Sequence, residues 1–159
     1  MVRPALQAGP HGFTLIELLV TIAIMVSLLL AAVPLIGDWV YSAQTRDAQA
    51  KLMQGFATAR ALALRDPAKV DFPQAAAGLR LVTSGATTTV LVCTGAPTAT
   101  DCDLGGAKVY WKTDYPASVS TTLSAGATLG LDNRGTPLST TGYTLSRGGS
   151  QNDETGFFY

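Results

Sequence analysis

Residues 12–36 read GFTLIELLVTIAIMVSLLLAAVPLI, an apolar stretch in which Glu17 is the one charged residue. Positions 18–36 within it form a run of nineteen residues that carry no charge. At about 1.5 Å per residue, a helix of that length spans roughly the 30 Å apolar core of a bilayer. Arg3 precedes the run, and a cation on that side favours an N-terminus inside the cell and a C-terminus outside. The sequence therefore predicts one membrane-spanning helix over 18–36.

Glu17, at the edge of the apolar run, does not fit a simple membrane anchor. A carboxylate in lipid costs roughly 2–3 kcal/mol at a helix centre and less near the interface. The sequence has no Lys or Arg within one helical turn of Glu17. We therefore expect a functional role for this acid, with a cationic partner supplied by another chain or by a new amino terminus.

The motif around this acid resembles the type IV prepilin signal. Residues 11–20 read HGFTLIELLV, and that signal is a short polar leader, a Gly, Phe-Thr-Leu-Ile-Glu and a long apolar helix. The resemblance implies that a prepilin peptidase cuts between Gly12 and Phe13, releases a leader of residues 1–12 and methylates the new Phe13 amine. It also implies that Glu17 pairs with the Phe13 amine of a neighbouring subunit in a filament.

One continuous helix is expected over 13–66, with a membrane part at 18–36 and an amphipathic part at 37–66. Pro34 either kinks this helix, as the resemblance implies, or is a tolerated membrane proline. Asp66 ends the helix, since a residue before proline avoids helical backbone angles. In the amphipathic part, apolar side chains recur every three or four residues, at Leu52, Phe56, Ala59 and Ala63.

The remaining residues, 67–159, predict a β-rich globular head, because their composition shifts to Thr, Gly, Ser, Ala and Val, with apolar residues at regular positions. Glycines separate seven candidate strands at 79–83, 88–93, 107–112, 118–122, 127–131, 143–146 and 156–159. The first two are expected to form a hairpin. The predicted fold class is α+β, with a long N-terminal membrane-spanning helix packed on a C-terminal antiparallel β-sheet head.

This layout resembles the GspH/FimT group of minor pilins and pseudopilins, which includes FimU-like subunits. The stretch GFATARALALR at 55–65 is similar to the second helix stretch of that group, but it lacks an acidic residue after the arginine. Some FimT-type members bind DNA, and Arg134 and Arg147 lie in Gly-containing loops that could contact it. The acidic and aromatic tail QNDETGFFY lacks the basic motif of those members.

Composition argues against an enzyme and against a metal site. His11 is the sole histidine and lies in the predicted leader, so no Ser–His or Cys–His pair remains after cleavage. We expect no cofactor. Cys93 and Cys102 are the two cysteines, and export of the head to an oxidising compartment favours a disulfide between them. Eleven cations balance eleven anions, which disfavours general binding of nucleic acid.

The sequence as a whole predicts a structural subunit of a type IV pilus or of a type II secretion pseudopilus. It would be held in the bacterial inner membrane by one helix, with its head in the periplasm, before it enters the filament. The implied partners are the prepilin peptidase and methyltransferase, other pilins, the inner-membrane assembly platform and membrane lipid. A DNA-binding minor pilin for natural transformation is the alternative, and a membrane-anchored binding protein that is never cleaved is a third hypothesis.

Overall fold

The computed structural model describes residues 12–67, 69–148 and 153–159, without the side chains of 33–38. The chain divides into two compact units, residues 1–37 and 38–159. The predicted leader, apart from Gly12, lies outside the described residues.

Helix α1 spans Leu15–Arg65, close to the predicted 13–66. It ends where the sequence indicates. Asp66 has a positive φ of 37°, and its Oδ1 atom accepts a hydrogen bond from the Val70 N–H at 3.0 Å. The chain therefore turns away from the helix axis directly after Arg65.

Within the second unit, the predicted apolar stripe of α1 packs against β-strands. Leu52, Ala59 and Ala63 are fully buried, and Phe56 is half-buried against the same core. Gly55 lies between them, and a Cβ atom there would meet Val90 Cγ1 at 2.8 Å. The helix thus approaches the sheet more closely at Gly55 than a residue with a side chain would allow.

Among the residues that the structure describes, seven β-strands follow the helix, and each one overlaps a predicted strand. Their bounds are β1 Ala77–Ser84, β2 Thr87–Thr94, β3 Val109–Pro116, β4 Val119–Leu123, β5 Thr128–Leu131, β6 Thr141–Arg147 and β7 Glu154–Phe158. They form a four-stranded sheet of order β3-β2-β1-β5 and a three-stranded sheet of order β4-β6-β7. All their pairings are antiparallel, and the predicted α+β class is confirmed.

The predicted hairpin is formed by β1 and β2, in which Ser84 pairs with Thr87 around Gly85. The third strand begins later than predicted and continues to Pro116. Its start moves because the Val109 N–H donates to the Gly106 carbonyl at 3.2 Å, which keeps residues 106–108 in a turn. Its end moves because β2 pairs with it as far as Thr87, opposite Pro116.

The main core lies where α1 meets both sheets. Tyr143 and Leu145 of β6 and Phe158 of β7 are buried in the same cluster as Leu52 of the helix. A tilted ring pair joins Phe56 to Phe158, with centroids 4.7 Å apart. The helix therefore packs against residues of both sheets.

The second face of the four-stranded sheet is covered by the connection between β2 and β3. The predicted disulfide joins Cys93 to Cys102, with Cα atoms 5.7 Å apart, and both residues are buried with Leu91. Arg80 fixes the same connection, because its Nη1 atom donates to the Cys102 carbonyl at 2.8 Å and its Nη2 atom to Asp103 at 3.3 Å. The disulfide thus attaches this loop to the sheet.

Candidate processing and assembly site

The segment directly before the helix is non-helical and open to solvent. Gly12, Phe13 and Thr14 are non-helical and exposed, and the Phe13 side chain is 81% exposed. A Cβ atom placed on Gly12 would have no neighbour within 4 Å. Packing within this chain therefore does not require a glycine there, and any such requirement would come from an enzyme that binds this segment.

Thr14 caps the first turn of α1. Its Oγ1 atom accepts a hydrogen bond from the Glu17 N–H at 3.3 Å, and its carbonyl accepts one from the Leu18 N–H at 3.2 Å. The order Thr-x-x-Glu is that of a capping box, in which a side-chain oxygen satisfies a free N–H of the first turn. This role of Thr14 was not among the sequence predictions, although the spacing that signals it is present.

The Glu17 carboxylate is exposed. Within the described part of the chain, ion pairs join Lys51 to Asp47, Arg80 to Asp103 and Lys108 to Asp101, and none includes Glu17. A negative charge in the first turn interacts favourably with the positive end of the helix dipole. Glu17 is therefore available to a cation that another molecule supplies.

The helix that follows has the dimensions of a membrane span. Leu15–Ala32 is long and apolar enough to cross a membrane by length and composition, and the protein buries none of it. This candidate span begins earlier than the predicted 18–36 and includes Glu17. Pro34 lies within α1, but its side chain is outside the described residues, so the kink stays a prediction.

The two arginines proposed for DNA contact lie far apart. The Arg147 guanidinium carbon is 4.2 Å from the centre of the Tyr41 ring, near the start of the second unit. Arg134 precedes Gly135, where a Cβ atom would meet Arg60 Cγ at 2.9 Å. Tyr41 and Arg60 are separated by about 28 Å along α1. The two side chains therefore do not form one basic patch.

Local contacts explain both arginine positions. Arg134 lies in a turn that Asp132 fixes, because the buried Asp132 Oδ1 atom accepts hydrogen bonds from the N–H groups of Arg134 and Thr136 at 2.9 and 2.8 Å. The Arg134 side chain is exposed, whereas Arg147 is half-buried. Its Nη1 atom is fully covered and has no hydrogen-bond partner among the described residues. Of the two, Arg134 is the one open to solvent.

Among the residues that the structure describes, no group of three His, Cys, Asp or Glu side chains could hold a metal ion. The acids on either side of Cys102 are already paired with cations. Asp101 lies 3.5 Å from Lys108, and Asp103 lies 3.3 Å from Arg80. Both are therefore explained as contacts that fix the disulfide loop.

Comparison with known proteins identifies a motif in the N-terminal segment. Residues 9–33 match the prokaryotic N-terminal methylation motif. No curated protein and no solved structure matches the chain. The matched residues contain the exposed Gly12–Phe13 bond, the capped helix start and most of the uncovered apolar helix. Together with the α+β fold, this motif supports the identification of the chain as a type IV pilin-like protein.

Proposed function

We propose that this protein is a structural subunit, a minor pilin or pseudopilin of the GspH/FimU kind, in a type IV pilus or a type II secretion pseudopilus. The observation that carries the proposal is the methylation motif at 9–33, which leads into an apolar helix that its own chain leaves uncovered. Such a helix requires lipid or other helices around it.

Cleavage of the Gly12–Phe13 bond creates a cationic amine on Phe13 that can pair with the Glu17 carboxylate. The peptidase binds the exposed segment on the cytoplasmic side of the inner membrane, cuts after Gly12 and methylates the Phe13 amine. The amine of one subunit then pairs with the Glu17 carboxylate of its neighbour. Between apolar helices this pair is shielded from water, so the loss of either partner leaves a buried charge that costs several kcal/mol.

Before assembly, the helix holds the protein in the inner membrane with the head in the periplasm. The assembly platform and other pilins then remove it from lipid into the filament. We expect assembly and not catalysis, because cleavage of the leader would remove the sole histidine of the sequence and with it any Ser–His or Cys–His pair.

The test uses the full chain, co-expressed with prepilin peptidase and the partner pilins of the same cell. Glu17→Gln keeps the size of the side chain and removes its charge. The proposal predicts that the variant is cleaved normally and is absent from isolated filaments. Asp47→Asn is the matched control, since Asp47 is an acid of the same helix that pairs with Lys51 at 2.8 Å, and it should enter filaments like the wild type.

Normal incorporation of the Glu17→Gln variant would contradict the proposed role of the acid. The site of recovery separates the two machines. A subunit sheared from the cell surface belongs to a pilus. A subunit that stays in the cell envelope, and whose deletion stops protein secretion, belongs to a pseudopilus.

A further inference from the structure

The outer face of the three-stranded sheet carries a row of three threonines. Thr122 of β4 pairs directly with Thr144 of β6, and Thr144 pairs directly with Thr155 of β7. Neighbouring strands lie about 4.8 Å apart, so the three threonines lie in a line across the sheet. The residues beside them on β6, Tyr143 and Leu145, point the opposite way and are buried in the core.

Beside this threonine row, the aromatic ring of Phe157 lies over a glycine of the neighbouring strand. Phe157 of β7 pairs with Gly142 of β6 and is 59% exposed. A Cβ atom on Gly142 would lie 3.2 Å from Phe157 Cε1 and 3.4 Å from Cδ1. The ring therefore covers the glycine and presents its other side to solvent. The Ser124 hydroxyl accepts a hydrogen bond from the Gly142 N–H at 2.8 Å, which fixes the sheet edge next to the ring.

The threonine row and the ring line one shallow cleft of about 250 Å³. None of the residues that line it carries a charge. Within the described part of the chain, the hydroxyl groups of Thr122, Thr144 and Thr155 have no protein hydrogen-bond partner, in contrast to the inward-facing Thr121 hydroxyl, which accepts from Tyr115 at 2.6 Å. The face thus offers free donors and acceptors beside an exposed apolar ring.

These features select among ligand classes. A nucleic acid or an acidic polymer would need cations here, and the cleft has none. An apolar helix would need a continuous apolar surface, whereas the side chains of Thr122, Thr144 and Thr155 interrupt this one. A pyranose ring combines an apolar C–H face with hydroxyl groups around its edge. It therefore matches both the aromatic ring and the threonine row.

We propose that this face binds a pyranose ring of a neutral glycan chain. The C–H face of the sugar packs on Phe157, and the sugar hydroxyls exchange hydrogen bonds with the threonine row. The cleft has room for about one sugar residue, so longer chains continue across the sheet. This inference concerns the head alone and does not depend on cleavage of the leader.

The test is saturation-transfer NMR on the full-length protein in lipid nanodiscs, because many common detergents carry sugar headgroups that would compete. The probes are N-acetylchitohexaose, a neutral chain of the cell-wall sugar type, and maltohexaose, a neutral storage-type chain. Dextran sulfate is the charged control. We expect binding of at least one neutral chain with a dissociation constant on the order of 1 mM, and none of dextran sulfate. The neutral chain that binds identifies the source of the glycan.

Phe157→Ala should weaken binding by about fivefold to tenfold, since one aromatic contact is removed. Tyr110→Ala is the matched control, because Tyr110 is an exposed aromatic residue of β3 in the other sheet and should bind like the wild type. Thr144→Val keeps the shape of the side chain and removes the central hydroxyl, so it should also weaken binding. It keeps the test decisive if the Phe157 variant does not fold.

Three results would overturn the inference. The first is the absence of binding by both neutral chains. The second is equal binding by the wild type and by a folded Phe157→Ala or Thr144→Val variant. The third is a sedimentation coefficient that depends on protein concentration in the wild type but not in Phe157→Ala, while both proteins bind glycan equally. That result would assign the exposed ring to self-association.

Discussion

The guanidinium group of Arg147 lies over the ring of Tyr41, with its central carbon 4.2 Å from the ring centre. Arg147 is the last residue of β6 and Tyr41 belongs to α1, so this contact connects the end of a strand to the helix. Cation–π contacts of this kind contribute about 0.5–2 kcal/mol, more when water is excluded. Arg147 is thereby explained as a structural residue of the head.

Arg147→Ala should accordingly lower the free energy of unfolding of the head by about 1 kcal/mol. Arg134→Ala removes an exposed side chain next to Gly135, which contacts Arg60 of α1. This substitution should change the free energy of unfolding by less than about 0.5 kcal/mol. Thermal unfolding followed by circular dichroism measures both. The affinity of the same proteins for duplex DNA is measured at several salt concentrations. Loss of DNA affinity in both variants without a change in stability would contradict this explanation and favour the DNA-uptake alternative.

Replacement of both Cys93 and Cys102 by Ala should lower the free energy of unfolding by about 2–3 kcal/mol, because the unfolded chain regains the freedom that the short closed loop removes. Asp101→Asn is the control in the same loop. It removes an exposed ion pair with Lys108, and should change stability by less than about 1 kcal/mol. Equal melting temperatures for the wild type and the double variant would show that the loop stays attached without the disulfide.

Gly55→Ala tests the close approach of helix and sheet. Alanine favours the helix by about 1 kcal/mol, but overpacking of a core costs about 1–3 kcal/mol, and the new methyl group would meet Val90 Cγ1 at 2.8 Å. We expect a net loss of about 1 kcal/mol. The loss should be smaller in a Val90→Ala background, where the contacted methyl group is absent. A stabilised Gly55→Ala protein would contradict the geometry.

Tyr115 predicts a loss of stability in alkali. Burial raises the pKa of Tyr115 above its ordinary value of 10.0, while the hydrogen bond to Thr121 acts in the opposite direction. The unfolded state therefore loses this proton first. The contribution of protonated Tyr115 to the free energy of unfolding is complete below pH 10, and it disappears as the pH rises through the pKa of Tyr115 in the folded state. Tyr115→Phe should flatten this part of the profile of unfolding free energy against pH. Identical wild-type and variant profiles above pH 10 would exclude Tyr115 as the cause.

The sequence predicts the elements of this fold well because local chemistry controls them. Asp66 before a proline ends the helix. Glycines such as Gly85 separate strands that are rich in Thr and Val. The helix stripe at Leu52 and Ala59 is buried as predicted. The late start of β3 was not predictable, since the turn at Gly106 depends on hydrogen bonds within the connection between β2 and β3, such as the one from the Gly106 N–H to the Asp103 carbonyl.

The candidate sites also differ in how far the sequence predicts them: a site of contiguous residues can be predicted, and a site of distant residues cannot. The processing motif is contiguous, so Gly12, Phe13 and Glu17 can be named from the sequence. The role of Arg147 depends on Tyr41, which is distant in the sequence and adjacent in space. The row through Thr144 depends on the register of three strands, and a shift of one residue would turn these side chains into the core. Such relationships require the tertiary structure.

Cleavage before Phe13 is what would make this chain a prepilin. It is tested by the intact mass and N-terminal sequence of the full-length protein extracted from membranes, with and without co-expressed prepilin peptidase. We expect a chain that begins at N-methylated Phe13 only when the peptidase is present. A chain that still begins upstream of Gly12 beside a peptidase that cuts a known prepilin in the same cells would contradict it, and would leave a membrane-anchored binding protein.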